Sequence, residues 1–366
     1  DLADVFCSVE EGVRGKRAVE WRLVDEVVPP SQWEAKVRER ALALATASDR
    51  PADAKGIALT PLDRVIAEDG VTYPHVRVEL DRTGGRATVT VLGPQSALPD
   101  DLAGIHAAGD EFYPLALARE LDDAVLHLRL NEPELGLLVL RTEGDPETVL
   151  AADKLLIANP DDWLVREIRH YLKRVLKRVD MTSRSLIALL EPGSCFAGTL
   201  AELAFAADRS AIFVGSRAGD NRPAAALRLS PLNFGAYPMG NGLTRLQTRF
   251  YGEPASVDAA RARIGQALPA EDAEALGLVT FAYDEVDWDD EVRLMLEERA
   301  SFSPDALTGM EANLRFPGPE TMETRIFGRL TAWQNWIFQR PNAVGEQGAL
   351  RRYGSGVKPE FDRARI

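Results

Sequence analysis

Two short stretches in the first third of the chain alternate apolar and polar residues with a period of two. Val76, Val78 and Leu80 form the first, and Ala87, Val89 and Val91 the second. Such alternation marks strands with one buried face, and Arg82-Thr83-Gly84-Gly85 between them supplies the glycines of a tight turn. A hairpin is predicted. Beyond it the period lengthens: an amphipathic helix is predicted over 112–131, a buried strand over the apolar run Leu135 to Leu140, and a second helix from about Pro160 to Val179. Ser185-Leu186-Ile187-Ala188-Leu189-Leu190 reads as another buried strand, and a glycine-containing turn leads into a helix over 199–207. Strands alternating with helices imply an α/β fold with a parallel sheet and right-handed crossovers.

The flanks differ. Residues 1–48 read as helix, strand, helix, the strand being Val24-Asp25-Glu26-Val27-Val28, stopped by Pro29-Pro30. Ser31 is placed to cap the second helix with Glu34 as its capping-box partner, and Trp33, Val37, Ala41 and Leu44 line one face of it. Residues 49–71, with Arg50-Pro51-Ala52-Asp53 and Glu68-Asp69-Gly70, are polar and irregular and are expected to be a linker. A main body is expected over 72–300, with a helical tail and an arm over 301–366. The tail carries Trp333, Trp336, Phe338 and Phe361 among Gly, Pro and Arg, as in an arm that packs on another surface.

One stretch occurs twice. Ala18-Val19-Glu20-Trp21-Arg22-Leu23-Val24 reappears as Ala273-Glu274-Ala275-Leu276-Gly277-Leu278-Val279. The register then holds without a gap: Trp33 falls on Trp288, Glu34 on Asp289, Val37 on Val292 and Arg38 on Arg293, each 255 positions on. A period this long is a repeated domain, since solenoid units run to roughly 20–50 residues. The first copy has only its end here, so the expectation is a C-terminal part of a tandem chain of on the order of 550 residues, two domains of ordinary size.

Composition narrows the function classes. A net charge of −14 argues against non-specific binding to nucleic acid or anionic membrane, so an anionic ligand would need a local basic patch. No apolar run approaches the roughly 18 residues of a membrane span, and no signal-peptide pattern opens the sequence. Cys7 and Cys195 make neither a disulfide framework nor a zinc site, as in reduced thiols of a cytoplasmic protein. His75, His106, His127 and His170 are scattered without metal spacing. Arg166, Arg169, Lys173 and Lys177 recur on one helical face, which reads as solvated.

Three segments, in order, resemble the crotonase (enoyl-CoA hydratase/isomerase) superfamily. Gly193-Ser194-Cys195-Phe196-Ala197-Gly198-Thr199-Leu200-Ala201-Glu202-Leu203-Ala204 resembles the family segment G-x-A-x-G-G-G-x-E-L-A, and Ala207-Asp208 its closing C-D. The stretch from Pro231 to Leu246 is similar to P-E-x-x-x-G-x-x-P-G-x-G-G-x-x-R-L, and the duplicated element to A-x-x-x-G-L-V-D-x-V-V. The resemblance implies a spiral crotonase-like domain preceded by the helical end of another. The tail Phe338 to Glu346 and the segment Arg50 to Gly56 resemble, within the superfamily, the tandem lyases that open an epoxidised aromatic ring of a coenzyme A thioester.

Chemistry of this kind needs two main-chain N–H groups for the thioester oxygen and carboxylates to move protons. By resemblance, the second N–H falls at Thr199, beside Gly198, and Thr199 and Leu200 replace two of the family's three glycines. The first should come from a loop reading A-G-A-D; here Val149-Leu150-Ala151-Ala152-Asp153 lacks the glycine, and Ala152 is its nearest equivalent. Glu202 stands where many hydratases carry a catalytic glutamate, and equally fits a helix-face partner of an Arg or Lys. Pro231 occupies the place of the second glutamate. The second domain is therefore expected to be degenerate, with catalysis upstream. The resemblance implies a coenzyme A thioester as substrate, no metal, no redox cofactor and a homo-oligomer, a dimer being favoured. An ordinary hydratase or isomerase working through Glu202, and a non-catalytic assembly scaffold, are the two alternatives.

Overall fold

The computed structural model describes residues 1–49, 53 and 55–364, which form two compact units divided after Gly56. Arg50, Pro51, Ala52 and Ala54, in the segment expected to be a linker, lie outside the described residues.

The larger unit is built on an eight-stranded sheet: β1 (Val65–Ala67), β2 (Gly70–Thr72), β3 (Val76–Asp81), β4 (Arg86–Leu92), β5 (Leu137–Glu143), β6 (Ser185–Leu190), β7 (Arg209–Phe213) and, after the two-stranded pair β8 (Leu227–Arg228) and β9 (Ala267–Leu268), β10 (Phe281–Tyr283). The β1 to β4 pairings are antiparallel, and β4, β5, β6, β7 and β10 follow in parallel. The predicted hairpin is β3–β4, with Val78 opposite Val89. Asp81 accepts the Gly84 N–H at 2.7 Å in its turn, and Gly85 takes a left-handed φ of 66°. All six residues of β6 are buried, as expected of a parallel strand covered on both faces.

Helices fill the crossovers. In the smaller unit lie α1 (Leu2–Ser8), α2 (Gly15–Glu20) and α3 (Trp33–Thr46); in the larger, α4 (Leu102–Ala108), α5 (Tyr113–Asn131), α6 (Pro146–Ala158), α7 (Trp163–Asp180), α8 (Gly198–Ala206), α9 (Arg245–Arg249), α10 (Pro254–Arg261), α11 (Ala270–Ala275), α12 (Trp288–Ser301) and α13 (Pro304–Leu314). Asp162 starts α7 by accepting the N–H groups of Leu164 and Val165, both at 3.0 Å. Arg166, Arg169, Lys173 and Lys177 on α7 are half-buried rather than fully solvated.

Several expectations fail for identifiable reasons. The segment 49–71 holds two strands, because β1 and β2 extend the sheet edge; Val71 is buried among polar neighbours too sparse to show a period. Val24–Val28 forms no strand, there being no partner strand for it in its unit among the described residues. Pro30-Ser31-Gln32 forms a 3₁₀ turn, and Ser31 caps nothing; α3 starts at Trp33 without a side-chain cap. The tail forms helices over 304–314 and 322–337, and its arm returns to its own unit. There Asn342 exchanges two hydrogen bonds with the Asp362 backbone, and Arg363 donates to the Thr83 carbonyl at 3.1 Å.

The repeat is structural as well as sequential. Helices α2 and α3 match α11 and α12 residue for residue at the 255-position offset. The ends of α2 and α11 share one hydrogen-bond pattern: Arg22 N–H to the Val19 carbonyl and Leu23 to Ala18, against Gly277 to Glu274 and Leu278 to Ala273, all between 2.8 and 2.9 Å. This is the Schellman ending, which needs a left-handed residue. Gly277 supplies it at φ 69°, while Arg22 is forced to φ 57°. A left-handed conformation costs a non-glycine residue about 1 kcal/mol. Replacing Arg22 by Gly should therefore slow hydrogen exchange at Leu23 by roughly fivefold, about 1 kcal/mol of local stability; unchanged exchange would show that Arg22 is not strained.

Candidate functional site

The turn from β6 into α8 brings the resemblance-bearing residues together. Gly198 sits at φ 46°, and a Cβ there would come within 1.9 Å of the Asp153 Oδ2. Glycine is required because a carboxylate occupies the space in front of the helix. Asp153, on α6, is 2% exposed and accepts three hydrogen bonds: the Thr199 N–H at 3.0 Å, the Thr199 hydroxyl at 2.5 Å and the Ser230 hydroxyl at 2.6 Å. The Tyr237 hydroxyl lies 3.1 Å from Thr199 Oγ1.

The N–H expected to receive a thioester oxygen thus already holds the protein's own carboxylate. The other expected donor is committed too. Ala152 lies mid-way along α6, where the helical ladder uses its N–H; the loop expected around 149–153 is helix, entered through Asp145 accepting the Glu147 N–H and through Pro146. Around Ala152, Asp153 and Thr199, the side chains of Tyr113, Leu117, Leu156 and Leu172 leave a cavity of about 10 Å³. That is room for one water at most.

Glu202 is 1% exposed, and both its oxygens are taken: Asn233 Nδ2 donates to one at 2.7 Å and Arg245 Nη1 to the other at 2.9 Å. Arg245 in turn grips Asp180 with Nε and Nη2, at 3.0 and 2.7 Å. This buried Asp180–Arg245–Glu202 cluster ties α7, α8 and α9 together. Burial pushes the Glu202 and Asp180 carboxyls up, while Arg245 pulls both back toward the charged form. The stretch after Pro231 contributes Asn233, which also donates to the Gly198 carbonyl at 2.9 Å and caps its own turn through the Ser230 N–H. Asp153, Ser230, Asn233, Tyr237, Asp180 and Arg245 escaped the sequence reading as site members. Asp153 and Arg245 stood inside the quoted motifs, but nothing local says that their charges are buried.

The histidines have local partners: Glu120 at 2.9 Å for His75, Asp162 at 2.8 Å for His106, and Asn131 and Lys173 for His127 and His170. Cys7 and Cys195 are free thiols, and burial pushes Cys195 up to about 11.

Burial raises Asp153 from 3.8 to about 6 against the pull of its hydroxyl and N–H donors. Between those values the folded state binds the proton that the unfolded state has lost, so the contribution of Asp153 to stability falls as pH rises from about 4 to 6 and is level above. Asp153→Asn, which cannot ionise, should match the parent near pH 4 and exceed it at pH 7.5 by on the order of 3 kcal/mol in urea unfolding. A difference independent of pH would contradict the assignment.

No family model matches the chain. The chain is 53% identical, over all 366 residues, to a benzoyl-CoA-dihydrodiol lyase of Aromatoleum evansii, and spans 65% of that protein's length. Solved structures with the same fold include enoyl-CoA hydratases of Geobacillus kaustophilus (TM-score 0.57, 14% identity, 80% of this chain and 98% of that one) and Bacillus anthracis (0.54, 16%, 78% and 98%). Another is the Mycobacterium smegmatis enoyl-CoA hydratase, at TM-score 0.53 and 17% identity over 78% of this chain and 98% of that one. The chain thus shares its fold with these enoyl-CoA hydratases and is similar, from end to end, to 65% of a benzoyl-CoA-dihydrodiol lyase.

Proposed function

We propose that this chain is the supporting part of a coenzyme A thioester lyase that opens 2,3-epoxybenzoyl-CoA hydrolytically, giving 3,4-didehydroadipyl-CoA semialdehyde and formate. The oxyanion hole and proton-transferring carboxylates of that reaction belong to an upstream crotonase-like domain. The observation that carries this reading is Asp153 on the Thr199 N–H: an internal anion fills the place where a thioester oxygen would be stabilised. The 53% identity to benzoyl-CoA-dihydrodiol lyase supports the substrate class.

The repeat supports an upstream domain. On α12, Trp288, Val292, Met295 and Leu296 are buried, and Trp288 meets the Phe213 ring edge-on at 5.3 Å, over strand β7. Two of the matching positions on α3 are apolar, Trp33 and Val37, 59% and 48% exposed, while Met295 and Leu296 fall on Arg40 and Ala41; Leu44, on the face of Trp33, is exposed too. A helix with this face requires a sheet to cover it, as β7 covers α12. In this reading residues 1–48 form the wall behind the upstream site. The chain's role in coenzyme A thioester chemistry is then to hold that wall, and Glu202 is an anchor for Arg245 rather than a base.

Formate release from 2,3-epoxybenzoyl-CoA should be absent with this chain alone and present with the full-length native polypeptide, whose intact mass should be about 60 kDa for a two-domain tandem of this size. Turnover by this chain alone would reject the division of labour. Crotonyl-CoA hydration by this chain should stay at background, and Glu202→Gln should leave it there; a measurable rate abolished by that substitution would establish the hydratase alternative.

Assembly is the second reading with a specific observation behind it. Phe327 and Leu330, on the helix over 322–337, are 73% and 52% exposed, in keeping with a homo-oligomer, a dimer being favoured. Phe327→Glu with Leu330→Glu should lower the sedimentation coefficient of the native protein to that of a smaller species; an unchanged profile would remove this face from the interface.

A further inference from the structure

The opposite end of α8 opens onto a second cavity, about 12 Å from Thr199 by the rise of a nine-residue helix. Its volume is about 490 Å³, in the range of small-molecule sites. Its walls differ in character. Phe205, Met239, Met310 and Leu314 are apolar, and five arginines stand with Asp208 and Glu311 as the charged lining.

In a chain of net charge −14, an anionic ligand requires an arginine that the protein's own carboxylates leave free. Four of the cavity's arginines are matched. Arg245 holds Asp180 and Glu202; Arg315 holds Asp208 at 2.7 Å; Arg299 lies 3.4 Å from Glu311; and Arg209 lies 3.3 Å from Glu298. Arg249 is not. Among the described residues no carboxylate pairs with it, and its single hydrogen bond is from Nε to the Gly277 carbonyl, at 2.5 Å. That contact fastens the turn after α11, but it uses one of five donors and leaves the guanidinium fork free. Burial lowers the affinity of Arg249 for its proton, an unfavourable setting for a cation without a counter-charge. Two more polar atoms among the lining residues, Thr248 Oγ1 and Arg315 Nε, are buried without a partner among the described residues. These two atoms have no surface on the cavity, whereas Arg249 is half-buried and its free donors reach it. The C-terminal end of α8 opposes an anion by about half a charge, less than the full charge of one guanidinium.

We infer that this cavity binds a small organic anion, a carboxylate or phosphate on an apolar body, with the acidic group on Arg249 and the body against Met239, Met310 and Leu314. The site is separate from the closed one at Asp153 and does not depend on the proposed ring-cleaving role.

Isothermal titration of this chain with benzoate, phenyl phosphate and neutral benzamide tests it. At least one of the two anions should bind saturably at one site, and which of the two binds more tightly identifies the acidic group; benzamide should bind at least tenfold more weakly. Arg249→Gln keeps a donor for the Gly277 carbonyl and should weaken the anion by roughly tenfold or more, the worth of a charge-assisted hydrogen bond. Leu314 is 69% exposed, so Leu314→Gln leaves the fold intact and should weaken the aromatic anion severalfold. Absence of saturable binding by both anions at millimolar concentration overturns the inference, as does binding that neither substitution changes.

Discussion

A carboxylate buried at the start of a helix must find donors or take up a proton, and in this protein that requirement organises the interior. Asp153 meets it with the Thr199 N–H in the first turn of α8, the Thr199 hydroxyl and Ser230. Free N–H groups at a helix start favour negative charge, and here the anion is internal. Three segments far apart in the chain, α6, α8 and the stretch between β8 and Pro231, are tied to a single group. Gly198 follows from it, since a Cβ would collide with the carboxylate. Beside it, apolar side chains leave only a small cavity.

A second buried charge cluster completes the frame. Arg245 is 1% exposed and sits between Asp180 and Glu202. Such a cluster is weak evidence of net stability, because desolvation offsets much of the attraction, whereas removal of one partner leaves an uncompensated charge. Its effect is positional: α7, α8 and α9 are held in one arrangement. The glutamate that resembles a catalytic residue thus has both oxygens occupied by structural donors, an outcome that charge and spacing in the sequence left open.

The duplicated element shows how one local pattern meets two environments. The Schellman endings of α2 and α11 are superimposable in hydrogen bonding, although one has glycine and the other arginine at the left-handed position. The local pattern is therefore robust to an unfavourable residue. The helices that follow share length and register but not burial. Trp288 is 2% exposed, and its counterpart Trp33 is 59% exposed. What differs is the presence of a sheet face, not the helix.

Periodic elements were legible from the amino-acid sequence. The hairpin β3–β4, helices α5, α7 and α8, strand β6 with its boundaries and the repeat with its register all follow from patterns of side chains a few residues apart, which report the face each element must bury. Local patterns misled where a partner decides the outcome. Val24–Val28 has strand composition but no strand to pair with in its unit, and the polar stretch before β3 becomes two strands because a sheet edge accepts them. The motifs Gly193–Asp208 and Pro231–Leu246 were legible as segments; the fates of Glu202, Thr199 and Ala152 within them were not. Whether an N–H is free, a carboxylate paired or a cavity filled depends on groups 30 to 80 positions apart in the chain, such as Asp153 and Ser230 or Glu202 and Arg245. Desolvation and charge pairing are properties of that three-dimensional neighbourhood, and only the tertiary structure decided them.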